Sequence, residues 1–328
     1  MKVLIPFLIY CCSLLGLAQE KSLVTVNRSV QLMGSKFSIT VVASNEEIGY
    51  INIEEAISEI KRVEKLISSQ DEGSETYLIN KNAGIKPVKV SPEVFQLIER
   101  ANQISEMTDG AFDITLAGLH DLWRYDGTLQ YIPSEEEIME AKKTVGYKNI
   151  VLDRKENTVF LRLKGMRISF EGIGKGYAID KAKEFMASIQ VKAGVINSEG
   201  DLTTWGTKTT GEKWLIGIAN PLNKEKMFSW IPVLESSVAT TQSYDRFISY
   251  NGKRYSHIMD PRTGLPSIGV NSVSVFAKSA ELCDALANAV FVLGVDRGMA
   301  LIYQLKGTEA IIMDSNNLMH KSPGITFN

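Results

Sequence analysis

Residues 279–293, S-A-E-L-C-D-A-L-A-N-A-V-F-V-L, place the strongest constraint on how this 328-residue chain folds. They predict a helix that is apolar on nearly every side, and such a helix has to be enclosed by other elements. Asp284 lies in the middle of this helix. A buried carboxylate is costly unless a cation or hydrogen-bond donors compensate it. The segment therefore predicts a core helix with a charged site on it; an aspartate at the helix surface is the alternative.

The other elements predict a mixture of strands and helices. Residues 22–42 alternate around Met33-Gly34, as in a hairpin. Residues 46–68 have helical spacing, Ser91-Pro92 predicts a second helix start, and Ser134 a third. Further strands are predicted at 150–161 (as a pair), 195–206, 214–218, 271–276 and 310–313. With no linker or repeat, this order predicts an α+β fold, one large domain with helices packed on mostly antiparallel strands.

Residues 1–18 have the composition of a secretory signal peptide. Lys2 precedes an apolar run, and Gly16-Leu17-Ala18 resembles a small-residue cleavage site. The predicted domain then covers residues 19–328. An N-terminal membrane anchor is the alternative, although the run is short for a spanning helix. After cleavage Cys283 would be the last cysteine left, so neither an internal disulfide nor a cysteine-based zinc site is predicted.

A glycine-rich stretch, residues 167–183 (R-I-S-F-E-G-I-G-K-G-Y-A-I-D-K-A-K), predicts a short strand, a turn and a helix. Backbone N–H groups at such a helix start can meet an anion, and Lys175 adds a positive charge. The sequence is neither a Walker A loop nor a G-x-G-x-x-G motif. A plain connection, in which the glycines only permit close packing, is the alternative.

Residues 255–266, Y-S-H-I-M-D-P-R-T-G-L-P, combine a histidine, a carboxylate, a guanidinium and a hydroxyl. The preceding run predicts a hairpin that turns at Asn251-Gly252. Asp260-Pro261 and Thr263-Gly264 predict sharp turns, so His257 should lie where a strand ends. A surface histidine in a polar turn is the alternative. The formal net charge of −2 does not indicate a nucleic-acid surface.

Together these segments resemble the FAD:protein FMN transferases, the ApbE-type flavin transferases. The resemblance covers nearly the whole chain after residue 18 and implies a T-fold-related core. It rests on six motifs in order: 108–113 T-D-G-A-F-D, 172–180 G-I-G-K-G-Y-A-I-D, 197–201 N-S-E-G-D, Ala239-Thr240 with Tyr244, 257–264 H-I-M-D-P-R-T-G and 284–287 D-A-L-A.

The resemblance implies magnesium-dependent transfer of FMN from FAD to a threonine or serine hydroxyl of a target protein, with AMP as the leaving group. It also implies an exported enzyme, in the periplasm or at the outer face of the bacterial inner membrane. Association with the membrane would come through its targets. Two alternatives remain open: hydrolysis of FAD to FMN and AMP, and a non-catalytic exported FAD-binding protein.

The resemblance also implies which residues form the site. His257 is the expected general base. The expected metal ligands are Asp284, the backbone carbonyl of Gly172, and Asn288, which stands where the family usually has threonine. The expected FAD site contains Met33, Ala111, Phe112, Asp113, Lys175, Thr240, Tyr244, His257 and Arg262, with Lys175 near the phosphates.

The chain departs from the family pattern at several positions. Gln70 takes the place of an aromatic residue that often stacks on the flavin. Ser169 and Glu171 stand where the family often has aspartate and glycine, Glu199 replaces a glycine, and Thr241-Gln242 replace Ser-Gly. Carboxylates beside an anionic ligand are unfavourable unless they face away or meet the metal. The orientation of Glu171 and Glu199 is therefore a question for the structure.

Overall fold

The structure is a computed structural model that describes residues 23–123, 131–220, 223–243, 247–250 and 253–326. The predicted signal peptide, Tyr244 and the Asn251-Gly252 turn lie outside these residues. The helices, in chain order, are α1 Glu46–Ile67, α2 Glu75–Lys81, α3 Pro92–Met107, α4 Ala117–Trp123, α5 Glu135–Lys142, α6 Gly174–Ser188 and α7 Ala280–Gln304, with a 3₁₀ turn at Tyr147–Asn149.

The strands pair in antiparallel fashion, as predicted. In chain order they are β1 Val24–Leu32, β2 Ser35–Ala43, β3 Val88–Lys89, β4 Ile150–Asp153, β5 Thr158–Leu161, β6 Ala193–Ser198, β7 Asp201–Trp205, β8 Trp214–Asn220, β9 Asn223–Val233, β10 Ser237–Gln242, β11 Phe247–Tyr250, β12 Lys253–Ser256, β13 Met259–Asp260, β14 Leu265–Pro266, β15 Val270–Ala277, β16 Glu309–Asp314 and β17 Met319–Lys321. Eight of them form the main sheet, in the order β1-β2-β6-β7-β10-β15-β16-β17.

The main sheet consists of two four-stranded halves. The first half, β1-β2-β6-β7, carries α1, α3 and α6 in one apolar core; the second, β10-β15-β16-β17, carries α7. Two residue pairs, Ser237 with Thr203 and Val238 with Leu202, join the halves through β7 and β10. Helices α6 and α7 pack against each other across this junction, so residues distant in sequence meet there.

Most elements that local sequence patterns predict lie at the predicted positions in the structure. The β1–β2 hairpin turns at Met33-Gly34, both with positive φ, and Ser91 caps α3 with Pro92 at its first position. Ser134 and Glu137 form a capping box at the start of α5. These outcomes confirm the predicted α+β fold.

The prediction of a short strand directly before the glycine turn, at the start of residues 167–183, is wrong. Residues 166–170 form no strand and do not pair with one. The side chain of Asn80 accepts a hydrogen bond from Ile168 N (2.8 Å) and donates one to Ile168 O (2.9 Å), and Ser169 N donates to Ile114 O (2.8 Å). An amide side chain and a turn therefore take the backbone groups that a ladder would use.

Helix α7 is the core helix that the sequence predicts. It breaks at Gly294 (φ 77°, ψ −177°), next to the predicted end at residue 293. Within the described residues it is the one helix long and apolar enough to cross a membrane, but 56% of that window is buried in the fold. Asp284 is 4% exposed, which excludes the alternative of an aspartate at the helix surface.

Candidate active site

The start of α7 is fixed against α6 by backbone contact and by one carboxylate. A Cβ atom on Gly176 would lie 2.2 Å from the carbonyl oxygen of Ala280, so only glycine permits this approach. Asp180 accepts hydrogen bonds from Ala280 N and Glu281 N (both 2.9 Å) and from Ser279 Oγ (2.7 Å). These bonds satisfy donors at the α7 N-terminus that have no partner within the helix. Asp180 thus sets the position of α7, a role that the sequence did not indicate.

Asp284 lies one turn into α7, facing the glycine turn. Gly176 N donates to its Oδ2 atom (3.2 Å). Burial raises the pKa of Asp284, and the negative charge of Asp201 raises it further, while Lys175 and the Gly176 N–H oppose the shift. An ionised Asp284 is therefore unfavourable by itself, and a cation beside it would lower its pKa.

The three residues expected to bind a metal meet at this point. Nδ2 of Asn288 lies 2.9 Å from the carbonyl oxygen of Asp284, 3.4 Å from Oδ1 of Asp284 and 3.4 Å from the carbonyl oxygen of Gly172. Gly172 has φ +84°, which aims its carbonyl at this cluster. A carbonyl, a carboxylate and an amide oxygen are donors that suit magnesium. Among the described residues no group of three or more His, Cys, Asp or Glu side chains gathers.

Lys175 brings positive charge beside the metal cluster. Its Nζ atom lies 2.8 Å from Oδ2 of Asp201, whose Oδ1 accepts a hydrogen bond from Thr240 N (3.3 Å). Burial disfavours the ammonium group, but the carboxylates of Asp201 and Asp284 outweigh this effect and raise the pKa of Lys175. The side chain is 34% exposed, so the charge can still reach an anionic ligand.

Met33 lies beside the glycine turn that carries Gly172 and Lys175. A Cβ atom on Gly174 would lie 3.9 Å from Cε of Met33, which places the hairpin turn next to the start of α6. Glu199, at the β6–β7 turn, accepts a long hydrogen bond from Lys36 N (3.4 Å). The Glu199 carboxylate, which is one of the departures from the family pattern, therefore faces the β1–β2 hairpin.

The turn at Ala111, Phe112 and Asp113 is buried. Asp113 accepts hydrogen bonds from Thr115 N (2.8 Å), Thr115 Oγ1 (2.7 Å) and Tyr147 N (2.8 Å). Burial raises the pKa of Asp113 and these bonds oppose the rise. Because its carboxylate holds the turn in shape, the expected contact of this motif with FAD depends on the backbone that the carboxylate organises.

The loop with His257 lies between β12 and β13, as predicted, and the side chain is half-buried. Arg262 makes two 2.8 Å hydrogen bonds to the Asp260 carboxylate, which orient the guanidinium. Cγ of Arg262 lies 3.7 Å from where a Cβ atom on Gly110 would be, so the loop adjoins the turn before Ala111. Ile258 packs on the apolar cluster of α7, the helix that carries Asp284.

A cavity of about 390 Å³ opens beside the segment that leads into Gly172. Gln70, Ser169 and Glu171, three of the departures, line it. Oε2 of Glu171 lies 3.2 Å from Nδ1 of His120, so this carboxylate also faces a partner on the cavity wall. The remaining lining residues are Ser69, Tyr77, Asn80, Lys81, Ala117, Asp121, Arg167 and Ile168. Sequence reasoning missed His120, although it is one of three histidines in the chain.

Comparisons with known proteins show the family to which the chain belongs. A family model described as the ApbE family matches residues 33–312. The FAD:protein FMN transferase of Klebsiella pneumoniae (strain 342) is 30% identical over 290 residues, 88% of this chain and 89% of that protein. The one of Treponema pallidum (strain Nichols) is 29% identical, over 83% of this chain and 80% of that protein. The crystal structure of the ApbE protein from Thermotoga maritima has a TM-score of 0.83 and 32% identity, covering 92% of this chain and 97% of that one.

Proposed function

Since the chain belongs to the ApbE family and is a flavin transferase, we propose that it transfers FMN from FAD to the hydroxyl of a threonine or serine in an acceptor protein, with magnesium as its cofactor. One observation carries the proposal: the Gly172 carbonyl, the Asp284 carboxylate and the Asn288 amide meet beside Lys175. That arrangement suits a cation on one side and a pyrophosphate on the other.

The reaction breaks one bond and forms one at the same phosphorus atom. The acceptor hydroxyl oxygen attacks the phosphorus of the FMN half of FAD. A new P–O bond forms, the bond from that phosphorus to the bridging oxygen breaks, and AMP leaves with the bridging oxygen. The hydroxyl proton goes to His257 as general base, a transfer typically worth about 10²–10⁴-fold in rate.

Gly172, Asp284 and Asn288 would hold magnesium, which when bound neutralises and orients the pyrophosphate. Lys175 adds a second positive charge, and Asp201 keeps its ammonium group in place. Thr240 fixes the other oxygen of Asp201. These residues place the phosphorus atom where the hydroxyl can reach it and offset the charge that develops on the phosphate oxygens.

We place the flavin half of FAD in the cavity lined by Gln70 and Ser169, because Glu171, the residue next to Gly172, also lines that cavity. The 111–113 turn and Met33 would complete the binding site. Export is part of the proposal and rests on the basic, apolar and small-residue pattern of residues 1–18. Mass spectrometry of protein secreted by a bacterial host should give a chain that begins near Gln19; an intact Met1 would contradict export.

Incubation with FAD, magnesium and an acceptor protein tests the activity. Covalent fluorescence on the acceptor together with AMP indicates transfer, free FMN indicates hydrolysis, and unchanged bound FAD indicates a binding protein. His257→Ala should lower transfer about 10²–10⁴-fold while FAD stays bound. His320→Ala is the control, since this histidine pairs with Asp314 in another part of the fold. Asp284→Ala should abolish the magnesium response; a wild-type response would place the metal elsewhere.

A further inference from the structure

Asn288 turns the nitrogen of its amide, and not the oxygen, toward the other two candidate ligands. Its Nδ2 atom lies 3.4 Å from both the Gly172 carbonyl oxygen and Oδ1 of Asp284. An amide NH₂ group donates hydrogen bonds and offers no lone pair to a cation, so only Oδ1 could coordinate one. The positive end of the amide dipole therefore lies between two oxygens that a cation would join.

The position of this NH₂ group has an energetic reason. Oδ2 of Asp284 already accepts from Gly176 N, whereas its Oδ1 atom faces Asn288. A buried carboxylate oxygen without a donor is destabilising, and so is a buried carbonyl oxygen. The third contact, 2.9 Å to the carbonyl of Asp284 one turn earlier, holds the side chain in this orientation.

We propose that Asn288 takes the place of the cation in the metal-free protein and turns its amide over to become a ligand when the cation binds. This inference rests on the proposed function, because it takes magnesium as the ion of the site. Rotation of the amide by about half a turn exchanges the nitrogen and oxygen positions. A threonine hydroxyl, the usual group of the resembling family here, both donates and accepts through one oxygen and needs no such rotation.

The consequence is that the stability of the metal-free protein and its affinity for magnesium oppose each other. Asparagine stabilises the empty site, and magnesium has to displace the three contacts of its NH₂ group before it gains the amide oxygen. Aspartate at the same position would offer no donor and a second negative charge. It should therefore destabilise the metal-free protein and strengthen magnesium binding, two effects of opposite sign from one substitution.

The experiment compares wild-type and Asn288→Asp full-length protein after dialysis against a chelator. Thermal melting should place the metal-free Tm of Asn288→Asp roughly 2–4 °C below wild type. Isothermal titration with magnesium chloride should give Asn288→Asp a Kd no higher than about one tenth of the wild-type Kd. Asn288→Leu removes both donor and ligand, so it should lower the metal-free Tm and also weaken magnesium binding.

Asn82→Asp is the matched control. Nδ2 of Asn82 also donates to the carbonyl four residues earlier, that of Leu78 (2.8 Å), but at the end of α2. This variant should leave the magnesium Kd unchanged. An unchanged metal-free Tm or an unchanged Kd in Asn288→Asp would overturn the inference while leaving the proposed function intact. A wild-type protein that binds no magnesium would overturn both.

A measurement on the wild-type protein keeps the test independent of variant folding. The side-chain NH₂ resonances of Asn288 should shift when magnesium is added, and their protons should exchange faster because their acceptors are lost. Resonances that stay in place at saturating magnesium, while titration shows that the ion binds, would refute the rotation of the amide.

Discussion

Replacing Gly176 with alanine tests whether backbone contact between α6 and α7 fixes the site. Alanine normally stabilises a helix relative to glycine by up to about 1 kcal/mol. Here the new Cβ atom would lie 2.2 Å from the Ala280 carbonyl oxygen and 2.6 Å from its carbonyl carbon. Ordinary contact requires about 1 Å more, and since both atoms are backbone, the two helices have to separate.

The free energy of unfolding should fall as a result. Overpacking of a rigid contact costs about 1–3 kcal/mol, which exceeds the propensity gain. We expect a net loss of about 1–2 kcal/mol, or roughly 1.5–3 °C in Tm for a domain of this size. Separation of the helices also moves Gly176 N away from Oδ2 of Asp284, so magnesium binding should weaken.

Urea denaturation and thermal melting measure the effect, with Gly118→Ala in α4 as the control. A Cβ atom at Gly118 would have its nearest neighbour at 3.4 Å, the hydroxyl oxygen of Thr144, so this variant should be neutral or slightly stabilised. If Gly176→Ala proved as stable as Gly118→Ala, the close approach of α6 to α7 would not hold and the proposed placement of Asp284 would lose its support.

Two further predictions concern the elements around the site. Asp180→Ala removes the acceptor of three donors at the α7 N-terminus, so urea denaturation should show a loss of about 2–3 kcal/mol. Asp180→Asn keeps one acceptor oxygen and should lose less; equal stability of the two variants would show that the carboxylate is not a cap. The second concerns acid. Hydrogen bonds from Arg62, opposed by burial and assisted by Tyr177, lower the pKa of Glu93 below its ordinary value of 4.5. The native state therefore gains stability from ionised Glu93 above the unfolded-state pKa and loses it as the pH falls through the lowered native pKa. The stability difference between wild type and Glu93→Gln should thus be largest near neutral pH and shrink below about pH 4.5; a difference that is constant with pH would contradict this linkage.

The sequence predicts elements whose signals are local. The Met33-Gly34 turn, the Ser91 cap and the end of the apolar helix at Gly294 all depend on a few neighbouring residues, and the structure has them there. The strand expected before the glycine turn fails for the opposite reason. Asn80 is 88 residues away from Ile168, and its side chain takes the backbone groups of that residue. No local pattern reports such a contact.

The residues of the candidate site also divide into those that a local sequence pattern indicates and those that it does not. Asp284 stands out in the sequence because its neighbours are apolar, whereas Gly172 and Asn288 were found through family resemblance and not from spacing. Asp180 stands inside a recognised motif, but its role as a cap for a helix 100 residues later depends on packing. Likewise, family resemblance implies that Asp113 belongs to the FAD site, whereas the hydrogen bonds that its carboxylate accepts from Thr115 and Tyr147 become visible only in the structure.

The junction between the two halves of the sheet determines when the candidate metal ligands can meet during synthesis. Gly172, Lys175 and Asp201 belong to the first half, which is complete at β7, whereas Asp284 and Asn288 come from α7 in the second. A nascent chain that ends before residue 280 therefore holds the cationic side of the site without its carboxylate ligand. The complete set of candidate metal ligands therefore exists only after α7 has docked on α6.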